Sequence, residues 1–134
     1  MGSNVWFTSS PSVAFLDSIG GSTNNGVIHE NGTSGPSGDF YKFNWINAQS
    51  LCDTYNHRQI LGLSNWQLPT QEELLNNLFT QHGNMFTSRE WPTSTRYWSS
   101  TTDGDYISNI DLSLGYSNLN LQDSQYYASC ISKP

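Results

Sequence analysis

Two cysteines, Cys52 and Cys130, stand 78 residues apart in a chain of 134. What becomes of them limits every fold this sequence can take. A metal site would want further ligands at short spacing, and a redox pair would read Cys-x-x-Cys. Neither pattern is present. In a chain this poor in lysine and rich in asparagine, the two read best as one long-range disulfide of an extracellular protein. The alternative is a pair of buried free thiols in a cytosolic protein. By loop entropy alone, a bridge over such a span stabilises the fold by about 4.5 kcal/mol.

Charge narrows the class further. Asp, Glu, Lys and Arg make up only 12% of the residues, about half of the ordinary share of roughly 25%. The only lysines are Lys42 and Lys133, and the formal net charge is −6. A nucleic-acid binder needs a basic footprint to neutralise phosphates, and none exists here. No run approaches the roughly 20 apolar residues of a membrane span, and no secretory signal is visible. Ser, Thr, Asn and Gln carry the solubility. Together with Tyr, Trp and Gly, they overlap with the residue types of antibody-type paratopes. Met1-Gly2-Ser3 reads as an expression scar, with Asn4 beginning mid-chain. Residues 4–134 have the length of one domain, with no repeat and no linker.

Val5-Trp6-Phe7 and Val13-Ala14-Phe15-Leu16 read as two strands, or a strand and an extended segment. Gly20 to Gly38 is rich in Gly, Ser, Thr and Asn and reads as loop. It contains Asn31-Gly32-Thr33, a formal glycosylation acceptor. From Asn44 to His57 the spacing is helical. Trp45, Ala48, Cys52 and Tyr55 share one face, Asn44 is the expected N-cap, and Gly62 the expected stop. Cys52 should therefore point inward. Thr70-Gln71-Glu72-Glu73 is a capping box, with Pro69 before it, Leu74, Leu75, Leu78 and Phe79 as the buried stripe, and Gly83 as the end.

After Gly83 the period changes to that of strands. Tyr97 to Thr101 is β-prone, and Asp103-Gly104 signals a turn. Tyr106, Ser108, Ile110, Leu112 and Leu114 alternate with Ile107, Asn109, Asp111 and Ser113, so one face should be buried and the other wet. Gly115 allows a turn, Leu119 and Leu121 mark a return strand, and Tyr126 to Ile131 is expected to be a last strand carrying Cys130. Helices followed by antiparallel strands make an α+β fold.

Trp66-Gln67-Leu68-Pro69-Thr70, then Glu73-Leu74, then Trp98-Ser99-Ser100-Thr101, then a terminal strand with Cys130, resemble a bacterial branch of the C-type-lectin-like fold. The layout is similar to that of the C-terminal tip domain of intimin and invasin adhesins. The resemblance covers roughly Asp39 to the end. It implies two helices packed on antiparallel sheets, a disulfide from the first helix to the last strand, and paired N- and C-terminal strands. It also implies a receptor-binding tip of an outer-membrane-anchored bacterial surface adhesin that binds a host protein noncovalently, as a monomeric module and without inserting into a membrane. Invasin-type members use an acidic residue soon after the first-helix Cys. Here Asp53 directly follows Cys52 and falls within the helix, so that role does not carry over.

The same fold hosts formylglycine-generating enzymes, which need a close reactive Cys pair, whereas Cys52 and Cys130 are expected in one structural bond. His29, His57 and His82 are scattered, no nucleophile–base spacing is legible, and the expectation is a non-enzyme with no cofactor. Calcium-dependent lectins carry Glu-Pro-Asn or Gln-Pro-Asp and then Trp-Asn-Asp, because calcium wants clustered oxygens. Neither motif occurs, and Asp103-Gly104-Asp105 reads as a turn. Arg, Tyr and Trp are enriched in interface hot spots. The partner-binding candidates are therefore Arg89, Trp91, Arg96, Tyr97, Asp103, Asp105, Tyr106 and Tyr116. Trp91 and Tyr97 are equally readable as packing, Trp98 as core, and Tyr116, beside Gly115, as the best candidate for exposure. Two rival functions remain: a calcium-independent glycan-binding lectin, and a diversified display protein on the same scaffold.

Overall fold

The computed structural model describes residues 5–133; the Met1-Gly2-Ser3 reading lies outside the described residues. The longest helix, α2 (Trp45–Arg58), starts where Asn44 accepts the Asn47 N–H and ends where Gln59 adopts left-handed backbone. The expected stop at Gly62 is thus three residues late: Ile60–Gly62 forms a separate 3-10 turn. Ala48, Leu51, Cys52 and Tyr55 face the interior, and Trp45 is half-buried.

The second long helix, α3 (residues 71–82), has the expected capping box. Thr70 N–H donates to Glu73 Oε1 at 2.8 Å, and Glu73 N–H donates to Thr70 Oγ1 at 3.1 Å. Two orphan donors are thereby satisfied at once. Glu73–Phe79 runs with π-type bonding before Thr80–His82 returns to α geometry. Gly83 stops it at a φ of +73°.

Three sheets surround these helices. At the closed end, β1 (Trp6–Phe7) and β4 (Trp66–Gln67) flank β8 (Ile131–Ser132), all antiparallel. β1 therefore pairs with the C-terminal strand, as expected. β8 is shorter than the segment expected, though: Tyr126 and Tyr127 make isolated bridges to Phe43 and Tyr97 instead. Asn56 of α2 brackets Trp66, accepting its backbone N–H and donating to its C=O, as a neighbouring strand would. Cys130, just before β8, is bonded to Cys52 of α2. The second sheet is a hairpin of β2 (Val27–Glu30) and β3 (Gly38–Tyr41). The third is an antiparallel meander of β5 (Tyr97–Asp103), β6 (Tyr106–Asp111) and β7 (Tyr116–Leu121).

Adjacent residues of β5 feed two separate cores. Trp98 joins Leu51, Tyr55, Trp66 and Cys130 beneath α2. Tyr97 joins Leu74, Leu78, Ile110, Leu112 and Tyr127 beneath α3. The register of β5 against β6 shifts between Trp98 and Thr102, which is a bulge. The Ser-Ser-Thr of the Trp-Ser-Ser-Thr motif fills it. Ser99 Oγ donates to Ser108 O and accepts the Thr101 N–H; Ser100 N–H donates to Pro69 O; Thr101 Oγ1 accepts the Gln71 N–H. The two sequence motifs are therefore one device: the hydroxyl-rich bulge grips the turn that starts α3.

Several expectations are corrected. Residues 13–16 are not strand: α1 (Val13–Ser18) begins where Ser12, after Pro11, accepts the Phe15 N–H. The Gly20 to Gly38 segment is not all loop, because Val27–Glu30 pairs with β3. A short helix, α4 (Met85–Arg89), precedes the meander, capped by Asn84. The alternation expected of Tyr106 to Leu114 also fails at both ends. Tyr106 and Leu114 are exposed, whereas Ile107 and Asn109, on the face expected to be wet, are buried. Only Ile110 and Leu112 of the expected inner face have α3 and α4 over them.

Glu30 is buried, with no basic partner among the described residues. Its Oε2 accepts from the Tyr127 hydroxyl at 2.6 Å and from the Ser94 N–H at 3.3 Å. Burial, with this bond second, pushes the Tyr127 hydroxyl well above its ordinary value. The carboxylate ties the β2–β3 hairpin to the segment before β5.

Candidate binding surface

The β5-β6-β7 meander presents two faces, and the parity of the strand decides which side chain goes where. Register places Tyr106 opposite both Asp103 and Leu121, Ser108 opposite Leu119, and Ile110 opposite Ser117. These residues share one face. The other holds Ile107 opposite Asn120, Asn109 opposite Asn118, and Asp111 opposite Tyr116.

The first face packs under α3 at Ile110; the second packs inward along its length, and largely through amides. Arg96 Nη1 donates to Asn109 Oδ1, Asn120 Oδ1 and the Tyr126 hydroxyl, each at 3.2 Å. Its guanidinium carbon lies 5.3 Å from the centre of the Tyr126 ring, which in turn packs on Trp98. Asn109 Nδ2 adds a bond to Asn120 Oδ1 at 3.0 Å. A planar guanidinium with several fixed donors suits such a node better than lysine would.

With Asn118 and Asn120 turned inward, Leu119 and Leu121 must turn outward. The result is a sheet end with large apolar side chains in water: Tyr106 at 49% exposure, Leu119 at 48% and Leu121 at 49%. Leu114 and Tyr116 are also exposed, but at the opposite end, around the β6–β7 turn. Beside Leu119 lies an open groove of about 490 Å³, lined by Gln71, Thr101, Asp103, Ser108 and Ser117. Its floor is held in place, since Ser108 Oγ donates to Gln71 Oε1 while the Gln71 N–H donates to Thr101. An apolar cluster rimmed by hydroxyls and carboxylates on a rigid sheet is the kind of surface that marks interaction sites.

Three of the candidates named from sequence fall on this end of the sheet: Asp103, Asp105 and Tyr106 are all exposed there. Tyr116 is exposed too, but at the far end of β7 and on the other face, opposite Asp111. The other four lie elsewhere. Trp91 and Tyr97 are buried and stacked together at 5.6 Å between ring centres. The Arg96 guanidinium is committed to the amide node. Arg89 is exposed on α4, with Nη2 3.5 Å from His82 Nδ1. Sequence reasoning missed Leu119 and Leu121, which it read only as marking a return strand, and Gln71, Ser108 and Ser117. The overlooked signal was the pair Asn118 and Asn120 in the same strand. Asn120 turns inward because its Oδ1 accepts from the half-buried Arg96 guanidinium, and Asn118, two residues before it, shares that face.

A second groove, of about 400 Å³, runs between α2 and β4 past Trp45, Gln49, Asp53, Gln67, Glu73 and Lys133. Most of its polar groups are spent on the fold. Lys133 Nζ donates to Glu73 Oε2 at 2.6 Å, and Trp45 Nε1 donates to Ser99 O. Partial burial pushes the Glu73 carboxyl up, but the Lys133 ammonium and the Thr70 N–H outweigh it and hold the group below the usual carboxylate range. Gln49, Asp53 and Gln67 are exposed there. Among the described residues no helix is long and apolar enough to cross a membrane.

Comparison with known proteins agrees with this architecture. A family model described as the Lcl C-terminal domain matches residues 21–132. No curated protein matches the chain. Among solved structures, that of the Yersinia pseudotuberculosis adhesin InvE matches with a TM-score of 0.68 at 19% identity, covering 98% of this chain and 33% of that one. The chain thus spans about a third of the length of that adhesin. At this identity the likeness concerns the fold, and the fold is the α+β, C-type-lectin-like one of intimin and invasin tip domains.

Proposed function

The chain belongs to the family of Lcl C-terminal domains, and on that premise we propose that it is a non-catalytic binding domain of a bacterial surface adhesin. It engages a host protein noncovalently through the outer end of the β5-β6-β7 meander. The observation that carries this reading is the exposure of Tyr106, Leu119 and Leu121 on one face of a rigid sheet. Leaving about half of each such side chain in water forgoes roughly 1 kcal/mol each, while Asn118 and Asn120 occupy the better-buried side. A binding role explains that inversion. The fold of an adhesin and a disulfide that ties the chain end to α2 support an extracellular setting.

Binding domains of this kind use a few aromatic and aliphatic anchors surrounded by polar residues that exclude water. Tyr106 and Leu119 are the anchors here, with Leu121 beside them and Asp103 and Asp105 at the rim. The reading is tested with a fluorescent, tetramerised form of the domain applied to cultured host cells. Proteinase treatment of the cells should abolish binding, and broad glycosidase treatment should leave it. The opposite pattern would favour the glycan reading, for which the groove past Trp45, Gln49, Asp53 and Gln67 supplies an indole with polar neighbours.

A further inference from the structure

We propose that the partner contributes an extended, basic segment that adds to the free edge of β7 as a fourth strand of the meander. This rests on the reading of the outer sheet end as the binding surface, and it names how the partner is held.

The edge is open. β7 pairs only with β6, and beyond that ladder no backbone group of residues 116–120 is hydrogen-bonded among the described residues. It is also unguarded. Proteins blunt sheet edges with lysine, proline, bulges or a covering segment. β7 reads Tyr-Ser-Asn-Leu-Asn-Leu, without charge or proline, and holds register with β6 over six consecutive pairs. The opposite edge of the same sheet is managed in the usual way. β5 is bulged, Trp98 N–H donates to Tyr127 O, and Ser100 N–H donates to Pro69 O. A fold that covers one edge and leaves the other flat and leucine-bearing is prepared for strand addition.

Charge sets the chemistry of the occupant. Asp103 and Leu121 both pair with Tyr106, Asp105 lies in the turn between β5 and β6, and Asp123 follows two residues after Leu121. Three carboxylates therefore lie at one end of the sheet, with Asp123 nearest the β7 edge in sequence and Asp105 and Asp103 on the strands behind it. No lysine or arginine occurs anywhere in residues 97–132. A complementary strand carries Lys or Arg at that end and steers in on opposite charge. Along its length, period-two alternation sends every second side chain toward Leu119, Leu121 and Tyr106, so those positions are apolar. A second copy of this chain is a poor occupant, because its β7 and the flanking residues 97–132 bring no Lys or Arg to these carboxylates.

The test is selection of a random dodecapeptide library on the immobilised domain, followed by hydrogen exchange of the isotope-labelled domain with the selected peptides. Enriched sequences should be basic, with alternating apolar residues and no proline within the contact stretch. On binding, alternate amides of residues 116–121 should gain protection, and N-methylation of every second peptide nitrogen on the pairing side should abolish affinity. The Asp103→Asn/Asp105→Asn/Asp123→Asn variant should bind about tenfold more weakly at low salt. Peptides that need Tyr106 and Leu119 but leave the β7 amides unprotected would overturn strand addition while sparing the binding surface. Peptides indifferent to Tyr106→Ser and Leu119→Ser, or an empty selection, would overturn both. A concentration-dependent dimer that protects the same amides would overturn the foreign segment in favour of a second copy.

Discussion

One carboxylate oxygen of Glu73 accepts from the Lys133 ammonium at 2.6 Å while the other caps Thr70 N–H at 2.8 Å. The first turn of α3 is thereby tied to the end of the chain, beside β8. A carboxyl held below its unfolded value stabilises the fold above that value, and the contribution disappears as pH falls through the folded value. Glu73→Gln should therefore melt below the parent at neutral pH, with the gap closing in acid below the ordinary 4.5. Thermal melts across that range check it. A gap that stays constant into acid would remove the charged pair from the account.

The Cys52–Cys130 bond closes a span of 78 residues. Replacing both with alanine should cost about 4.5 kcal/mol by loop entropy, read as the shift in urea midpoint at unchanged slope. Thiol titration of the denatured, unreduced protein should find none free.

Gly115 has a φ of +82°, and a Cβ placed there would sit 2.2 Å from the Phe79 ring. Both the left-handed backbone and the close ring exclude a side chain. Gly115→Ala should lose about 2 kcal/mol of stability, whereas Tyr116→Ala, one residue along, should stay within about 0.5 kcal/mol of the parent. Equal effects at the two positions would contradict the packing of this turn on α3.

Arg96→Ala should act on folding before it acts on binding. It removes the donor shared by Asn109, Asn120 and Tyr126 and should cost about 2 kcal/mol. Arg96→Lys should recover little, because an ammonium cannot reproduce the fork. Loss of affinity at full stability would instead return Arg96 to the surface role its residue type suggested.

The capping box, the inward Cys52, the Gly104 and Gly115 turns and the C-type-lectin-like fold were legible because each depends on residues close in sequence or on motifs of fixed spacing. The helices at Ser12 and Asn84 were not. Each is short and starts from a cap without a following apolar period. The strand at β7 was legible, but which of its faces turns outward was not. Its leucines alternate as a buried strand's would, and only the tertiary placement of Arg96 reverses the sense by drawing Asn120 inward. The site suffered from the same cause. Residue type brought Asp103, Asp105, Tyr106 and Tyr116 into the candidate set, but could not separate them from Trp91 and Tyr97, which the fold buries.

The most direct measurement of the central claim is cell binding by the tetramerised Tyr106→Ser/Leu119→Ser variant beside its melting temperature. Both side chains are about half in water, so the melt should match the parent. Truncating two anchors of a small interface should cost about 2 kcal/mol or more in binding, which a multivalent probe reads as loss of cell staining. Staining equal to the parent at an unchanged melting temperature would contradict the assignment of the β5-β6-β7 face as the binding surface.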